Sequence, residues 1–167
     1  MKSLNHNINE YRKQLEKGVI VEAYRGIMDY LMKLRIYFKD HYPEHLVSGS
    51  IYQDFMDISF FSFTPEPLIR RKLKIVLVFV HGKTSFEVWL TGQNKQIQKE
   101  YMKLIRESKW NKYYVPSYTE VCDSIVENIL VEKPDFDDLN SLTKKIEKGA
   151  NEFIEDVLEF LTQNQLE

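Results

Sequence analysis

One cysteine, Cys122, stands in 167 residues, so no disulfide can form within the chain, and its place between Val121 and Ile125 marks a thiol on or beside a core face. Long apolar runs are missing too. The longest, Ile75 to Val80, is far too short to span a bilayer, and the first residues, Met1 to Asn7, lack the apolar core of a secretory signal. A cytoplasmic address without membrane contact is the expectation. With only six glycines and five prolines, no linker, repeat or low-complexity tract is visible, and residues 1–167 read as a single domain. Aromatics are plentiful instead, and 22 of them with 43% hydrophobic content suffice for one sizeable core.

Residues 70–112 carry the most structural information. If Gly82-Lys83 is a two-residue turn with glycine at positive φ, Phe79 faces Phe86, Leu77 faces Val88 and Ile75 faces Leu90, giving one apolar face. The other face pairs Val80 with Ser85, Val78 with Glu87, Val76 with Trp89 and Lys74 with Thr91. The first strand is apolar on both faces and so requires a further strand beside it. Residues 55–63 supply it, with Met56, Ile58 and Phe60 on one side and Asp57, Ser59, Phe61 and Phe63 on the other, before a loop at Pro65-Glu66-Pro67.

Helical spacing frames this sheet. Leu4, Ile8, Tyr11 and Leu15 predict a helix stopping at Lys17-Gly18, and Ile20, Tyr24, Ile27, Leu31, Leu34 and Phe38 predict a second ending before Pro43. Together they read as a helical hairpin. Three helices are expected after the sheet: one through Ile97, Tyr101, Leu104 and Ile105; one opened by a Ser117/Glu120 capping box through Val121, Ile125 and Ile129; and one from about Asp137 to Leu161, with Gly149 inside it. The fold class is therefore α+β, an N-terminal helical hairpin, an antiparallel meander of about three strands and three helices packed on it.

Net charge is −2, but its two signs are segregated. Residues 69–112 hold eleven Lys or Arg against three Glu, and residues 119–167 hold four Lys against thirteen acids. Arg70, Arg71, Lys95, Lys99, Lys103, Arg106 and Trp110 form a candidate surface for phosphates or nucleic acid. The competing explanation is that the acidic C-terminal helix packs beside the basic one and the two fields cancel. On the polar side of the hairpin, Lys74, Glu87 and Trp89, with Asp57 reaching in from the neighbouring strand, form a candidate ligand pocket. Thr91 to Asn94 open a helix whose free N–H groups suit an anion, as every helix start does.

The motifs of metal, nucleotide and nucleophile chemistry fail on inspection. His41-Tyr42-Pro43-Glu44-His45 has the letters of a zinc motif, but Pro43 disrupts the helix that would bring the imidazoles together. Gly82-Lys83-Thr84 ends like a phosphate-binding loop, yet Leu77 stands where its first glycine belongs and a strand follows. Ser48-Gly49-Ser50 lacks the frame of a nucleophile elbow. The order of long helix, three strands and helix resembles the restriction-endonuclease-like nucleases, but the second strand carries no acid and Trp89 occupies the place of the essential lysine. No catalytic residue, metal or cofactor is assigned.

The segments Val47-Ser-Gly-Ser-Ile-Tyr-Gln, Phe86-Glu-Val-Trp-Leu-Thr-Gly-Gln-Asn-Lys and Trp110-Asn-Lys-Tyr resemble those of an uncharacterised bacterial family, a domain of unknown function, over roughly Ile8 to Leu161. The resemblance implies a cytoplasmic stand-alone domain with no assigned activity, and it transfers no catalytic residues. The functional expectation is a non-catalytic module that binds a small molecule or a protein, a second copy of the chain included. The alternative is an enzyme or binder acting on a phosphate-bearing substrate or nucleic acid through residues 70–112.

Overall fold

The computed structural model describes residues 1–117 and 124–164. It is α+β, with five helices and a six-stranded antiparallel sheet among these residues. Helix α1 (Leu4–Glu16) and the long α2 (Val19–His41) come first, joined through Gly18. Strands β1 (His45–Val47), β2 (Tyr52–Asp54) and β3 (Ile58–Pro65), the short helix α3 (Glu66–Arg70), then β4 (Leu73–Val80) and β5 (Ser85–Gly92) follow. Helix α4 (Lys95–Ser108), β6 (Val126–Val131) and α5 (Leu139–Gln163) complete the chain.

The β4–β5 register is the one the alternation predicts, from Lys74 opposite Thr91 to Val80 opposite Ser85. The turn differs. It spans four residues, His81 to Thr84, closed by Thr84 N–H donating to His81 O at 3.3 Å, and the positive φ of 50° falls on Thr84 rather than glycine. Four-residue loops are also a common hairpin solution, and two extra turn residues leave the pairing parity intact. β3 lies beside β4 as required, with Phe61 opposite Leu77.

The sheet has six strands rather than about three. β1 and β2 share the outer edge of β3, and paired residue numbers sum to 110 in β1 but 112 in β2. Ser48-Gly49-Ser50 is therefore the bulge that breaks one edge strand in two, held where Ser62 N–H donates to Ser48 Oγ and Ser48 N–H donates to Ser62 O. Pro65 ends β3 instead of sitting in a loop, and Pro67 lies in the first turn of α3, where a missing N–H costs nothing.

The expected helix through Ile125 and Ile129 is strand β6, paired with the free edge of β5. Among the described residues only two helices, α4 and α5, therefore follow the hairpin. Glu120, the second member of the capping box, and Cys122 lie outside the described residues.

One face of the sheet, carrying Phe61, Phe63, Ile75, Leu77, Phe79, Phe86, Val88 and Leu90, is covered by α2 and α5. Phe38 of α2 lies 4.3 Å from Phe63 and 6.2 Å from Phe61, centroid to centroid. The two helices are tied by buried-side hydroxyls: Tyr37 and Tyr42 both donate to Glu147, at 2.9 and 2.6 Å, and Tyr30 meets Thr143 at 3.0 Å. α5 runs unbroken through Gly149, where a Cβ would stand 2.6 Å from Leu130 Cδ2 of β6, so the glycine lets helix and strand approach. Its N-cap is Asp138, which accepts from Ser141 N–H at 3.1 Å. α1 has none of its residues buried, so the N-terminal pair does not pack on the sheet as a unit. No helix among the described residues is long and apolar enough to cross a membrane.

Candidate functional site

Among the described residues, the opposite face of the sheet is left partly open. Pleat alternation puts Ile58, Phe60 and Ser62 of β3, Lys74, Val76 and Val78 of β4 and Trp89 and Thr91 of β5 on this side. Helix α4 forms one wall and β2 the other. The resulting cleft holds about 800 Å3, within the range of ligand sites.

Its two ends differ chemically. Lys74 sits at the end where β5 gives way to α4, and Lys95 and Lys99 project from the first turns of that helix. Among the described residues, none of these three lysines is paired with an acid. Gly92 brings the chain so close to α4 that a Cβ would stand 2.6 Å from Gln98 N, and its own N–H donates to Gln98 Oε1 at 2.8 Å. The Gln98 side chain lines the cleft, and its buried Nε2 has no acceptor among the described residues. Asn94 caps α4, accepting from Ile97 N–H at 2.9 Å.

The middle is apolar and aromatic. Val76 and Val78 form the floor between Trp89 on β5 and Phe60 on β3, and Tyr52 of β2 stacks on Phe60 at 5.4 Å. The far end carries Asp54, an acid with no hydrogen bond or ion pair to its carboxylate among the described residues.

The residues singled out in the sequence are thus divided. Lys74, Trp89, Lys95 and Lys99 meet in the cleft. Glu87 is only 2% exposed and is engaged by its neighbours: Trp89 Nε1 donates at 2.8 Å, Ser85 Oγ at 3.3 Å, and Lys83 Nζ lies 3.6 Å away. Two residues from Trp89 on the same face of β5, it holds the indole from the side instead of lining the cleft. Asp57 stands in the β2–β3 turn, its Oδ1 accepting from Ile58 N–H and its carbonyl from His81 N–H.

Of the remaining cations, Arg70 pairs with Glu66 at 3.4 Å and Lys103 with Glu107 at 3.7 Å. Arg71 donates to Pro67 O and Arg106 to Pro116 O. Trp110 stacks on Phe160 of α5 at 4.6 Å and 20° between planes, so it packs the acidic helix against the end of α4. The link between basic block and acidic helix is completed by Lys112, 2.6 Å from Asp156, which also accepts the Tyr113 hydroxyl. Burial raises the Asp156 carboxyl's proton affinity, but the Lys112 and Tyr113 bonds outweigh it and hold the group below the ordinary aspartate value.

Sequence reasoning missed Tyr52, Asp54, Phe60 and Gln98. The alternation separates Phe60 from Asp57, and the β3–β4 register puts Phe60, not Asp57, on the Trp89 side. The family model for a domain of unknown function, DUF7000, matches residues 4–161. The chain belongs to that family. The DUF7000 match spans every strand and all of the described helices except the last two residues of α5, so the cleft lies wholly within it. No curated protein and no solved structure matches the chain.

Proposed function

We propose that this DUF7000 chain is a binding module whose open sheet face takes a small phosphate-bearing ligand, with Lys74, Lys95 and Lys99 holding the anionic group and Trp89 the apolar part. The observation that carries this reading is the gathering of three lysines, from two separate elements and with no acid partner among the described residues, at one end of an aromatic-lined cleft of about 800 Å3. Like charges held together without counterions repel, and an anion between them relieves that repulsion. The unsatisfied Gln98 Nε2 adds a donor at the same end. A nucleic-acid surface running along the whole basic block has less support, because Arg70, Arg71, Lys103 and Arg106 are engaged by protein acceptors.

The test is calorimetric titration of the chain with inorganic pyrophosphate at low salt. Lys74→Ala/Lys99→Ala is expected to weaken binding at least tenfold, about 1.4 kcal/mol, while Lys103→Ala, outside the cleft lining and paired with Glu107, leaves it unchanged. Equal affinity in all three proteins removes the reading.

A further inference from the structure

The cleft is directional, and direction narrows the ligand. Antiparallel register fixes successive rows across its floor: Lys74 with Thr91, then Ser62, Val76 and Trp89, then Phe60 and Val78, then Ile58 and Val80, with Asp54 paired to Ile58 at the edge. Rows two residues apart are separated by about 7 Å, so the lysine row and the Asp54 row stand about 20 Å apart along the strands. The reach of a lysine and an aspartate side chain allows a ligand about the length of one nucleotide to touch both rows. Between them lies the valine floor flanked by Trp89 and by the Tyr52–Phe60 stack.

Each end then selects a chemical group. Three cations and an unsatisfied amide select an anion. The floor and its aromatic walls select a flat ring, for which stacking is worth about 1–3 kcal/mol. Asp54 at the far end is an acceptor-only group with two oxygens and no donor among the described residues, and a ring edge offering two adjacent N–H donors meets it bidentately. Among the common bases guanine has such an edge, N1–H beside the N2 amino group. Adenine and cytosine set a ring-nitrogen acceptor beside their amino group, which would face a carboxylate oxygen unfavourably.

Resting on the phosphate-binding reading above, we infer that the ligand is a free guanine nucleotide lying lengthwise, phosphate at Lys74, Lys95 and Lys99, base over Val76 and Val78, and N1–H/N2–H edge at Asp54. The trapped tryptophan provides the readout. In a Trp110→Phe background, which leaves an aromatic ring against Phe160, Trp89 is the sole indole, and its fluorescence is titrated with GMP, AMP, inorganic pyrophosphate and a guanine-centred RNA trimer.

Expected are quenching by GMP and affinity for it at least tenfold above that for AMP. Asp54→Ala should abolish this preference while leaving AMP binding no weaker, and Lys74→Ala/Lys99→Ala should weaken both nucleotides alike. The Asp54 carboxylate bonds nothing among the described residues, so its removal is not expected to disturb folding. Equal affinity for GMP and AMP, or a preference that survives Asp54→Ala, overturns the inference. So does a trimer bound tenfold more tightly than GMP. Pyrophosphate binding that depends on the lysines, without any gain from a base, overturns the guanine assignment and leaves the phosphate reading standing; no anion binding at all ends both.

Discussion

Trp89 shows how one side chain serves two environments. Its ring edges the cleft, while its Nε1–H donates at 2.8 Å to Glu87, which is 2% exposed. Trp89→Phe keeps an aromatic wall but strands a buried acceptor, and a loss of about 1–3 kcal/mol is expected in urea unfolding, with the native circular dichroism retained. An unchanged midpoint would mean that Glu87 is satisfied without the indole. The two half-buried histidines set a pH dependence. Burial depresses the basicity of His45 and His81 below the ordinary value of 6.5, and Glu44 and Asp57 restore only part of it. The unfolded chain therefore takes up protons first as pH falls. The stability these groups contribute is complete above 6.5 and is lost as pH drops toward their folded values. The urea midpoint should fall on acidification through that window and fall less in His45→Gln/His81→Gln; a rise would contradict the burial argument.

Among the elements, β6 is the instructive failure of local reading. Val121, Ile125 and Ile129 recur every four residues, which is a helical period, yet the β-branched Val126, Ile129 and Val131 suit an extended chain equally well, and there Val126 and Leu130 face inward and Ile129 outward. Short apolar segments carry both periods, and the free edge of β5 decided between them. The β4–β5 hairpin had no such ambiguity, since eight consecutive pairs agree on one register. Gly149 is the tertiary counterpart. Alanine there gains about 1 kcal/mol of helix propensity but drives its Cβ into Leu130. The double-mutant cycle of Gly149→Ala with Leu130→Ala should therefore show a coupling of at least about 0.5 kcal/mol, the double variant being more stable than the singles predict. Strict additivity would show that α5 does not press on β6 there.

At the scale of the whole molecule, charge segregation along the chain does not become charge segregation in space. Lys112 and Trp110 fasten the basic block to Asp156 and Phe160 of the acidic helix. Around the cleft, Lys74, Lys95 and Lys99 have no acid partner among the described residues. α1 is the other whole-molecule feature: Leu4, Ile8 and Tyr11 are 73, 52 and 54% exposed, and no residue of the helix is buried. A helix of this length is marginal on its own in water. Removing residues 1–17 is expected to shift the melting temperature of the remaining chain by no more than about 2 °C, since almost no core is lost. A larger drop would show that α1 buries its apolar stripe against another surface in solution.

The sequence by itself determined the α+β class, the long helix that ends at Pro43, the hairpin register and the presence of Lys74 and Trp89 on its polar side. These follow from local periodicity and from turn parity, which a chain carries without knowing its neighbours. Only the tertiary structure decided that residues 126–131 close the sheet as a strand, that Asp54 and Phe60 join Trp89 across three strands, and that Lys95 and Lys99 turn toward Lys74 while Arg70 and Lys103 are occupied elsewhere. Those outcomes depend on which edges and counter-charges are already taken, and that competition is settled between segments distant in sequence, at contact distances that no local pattern encodes.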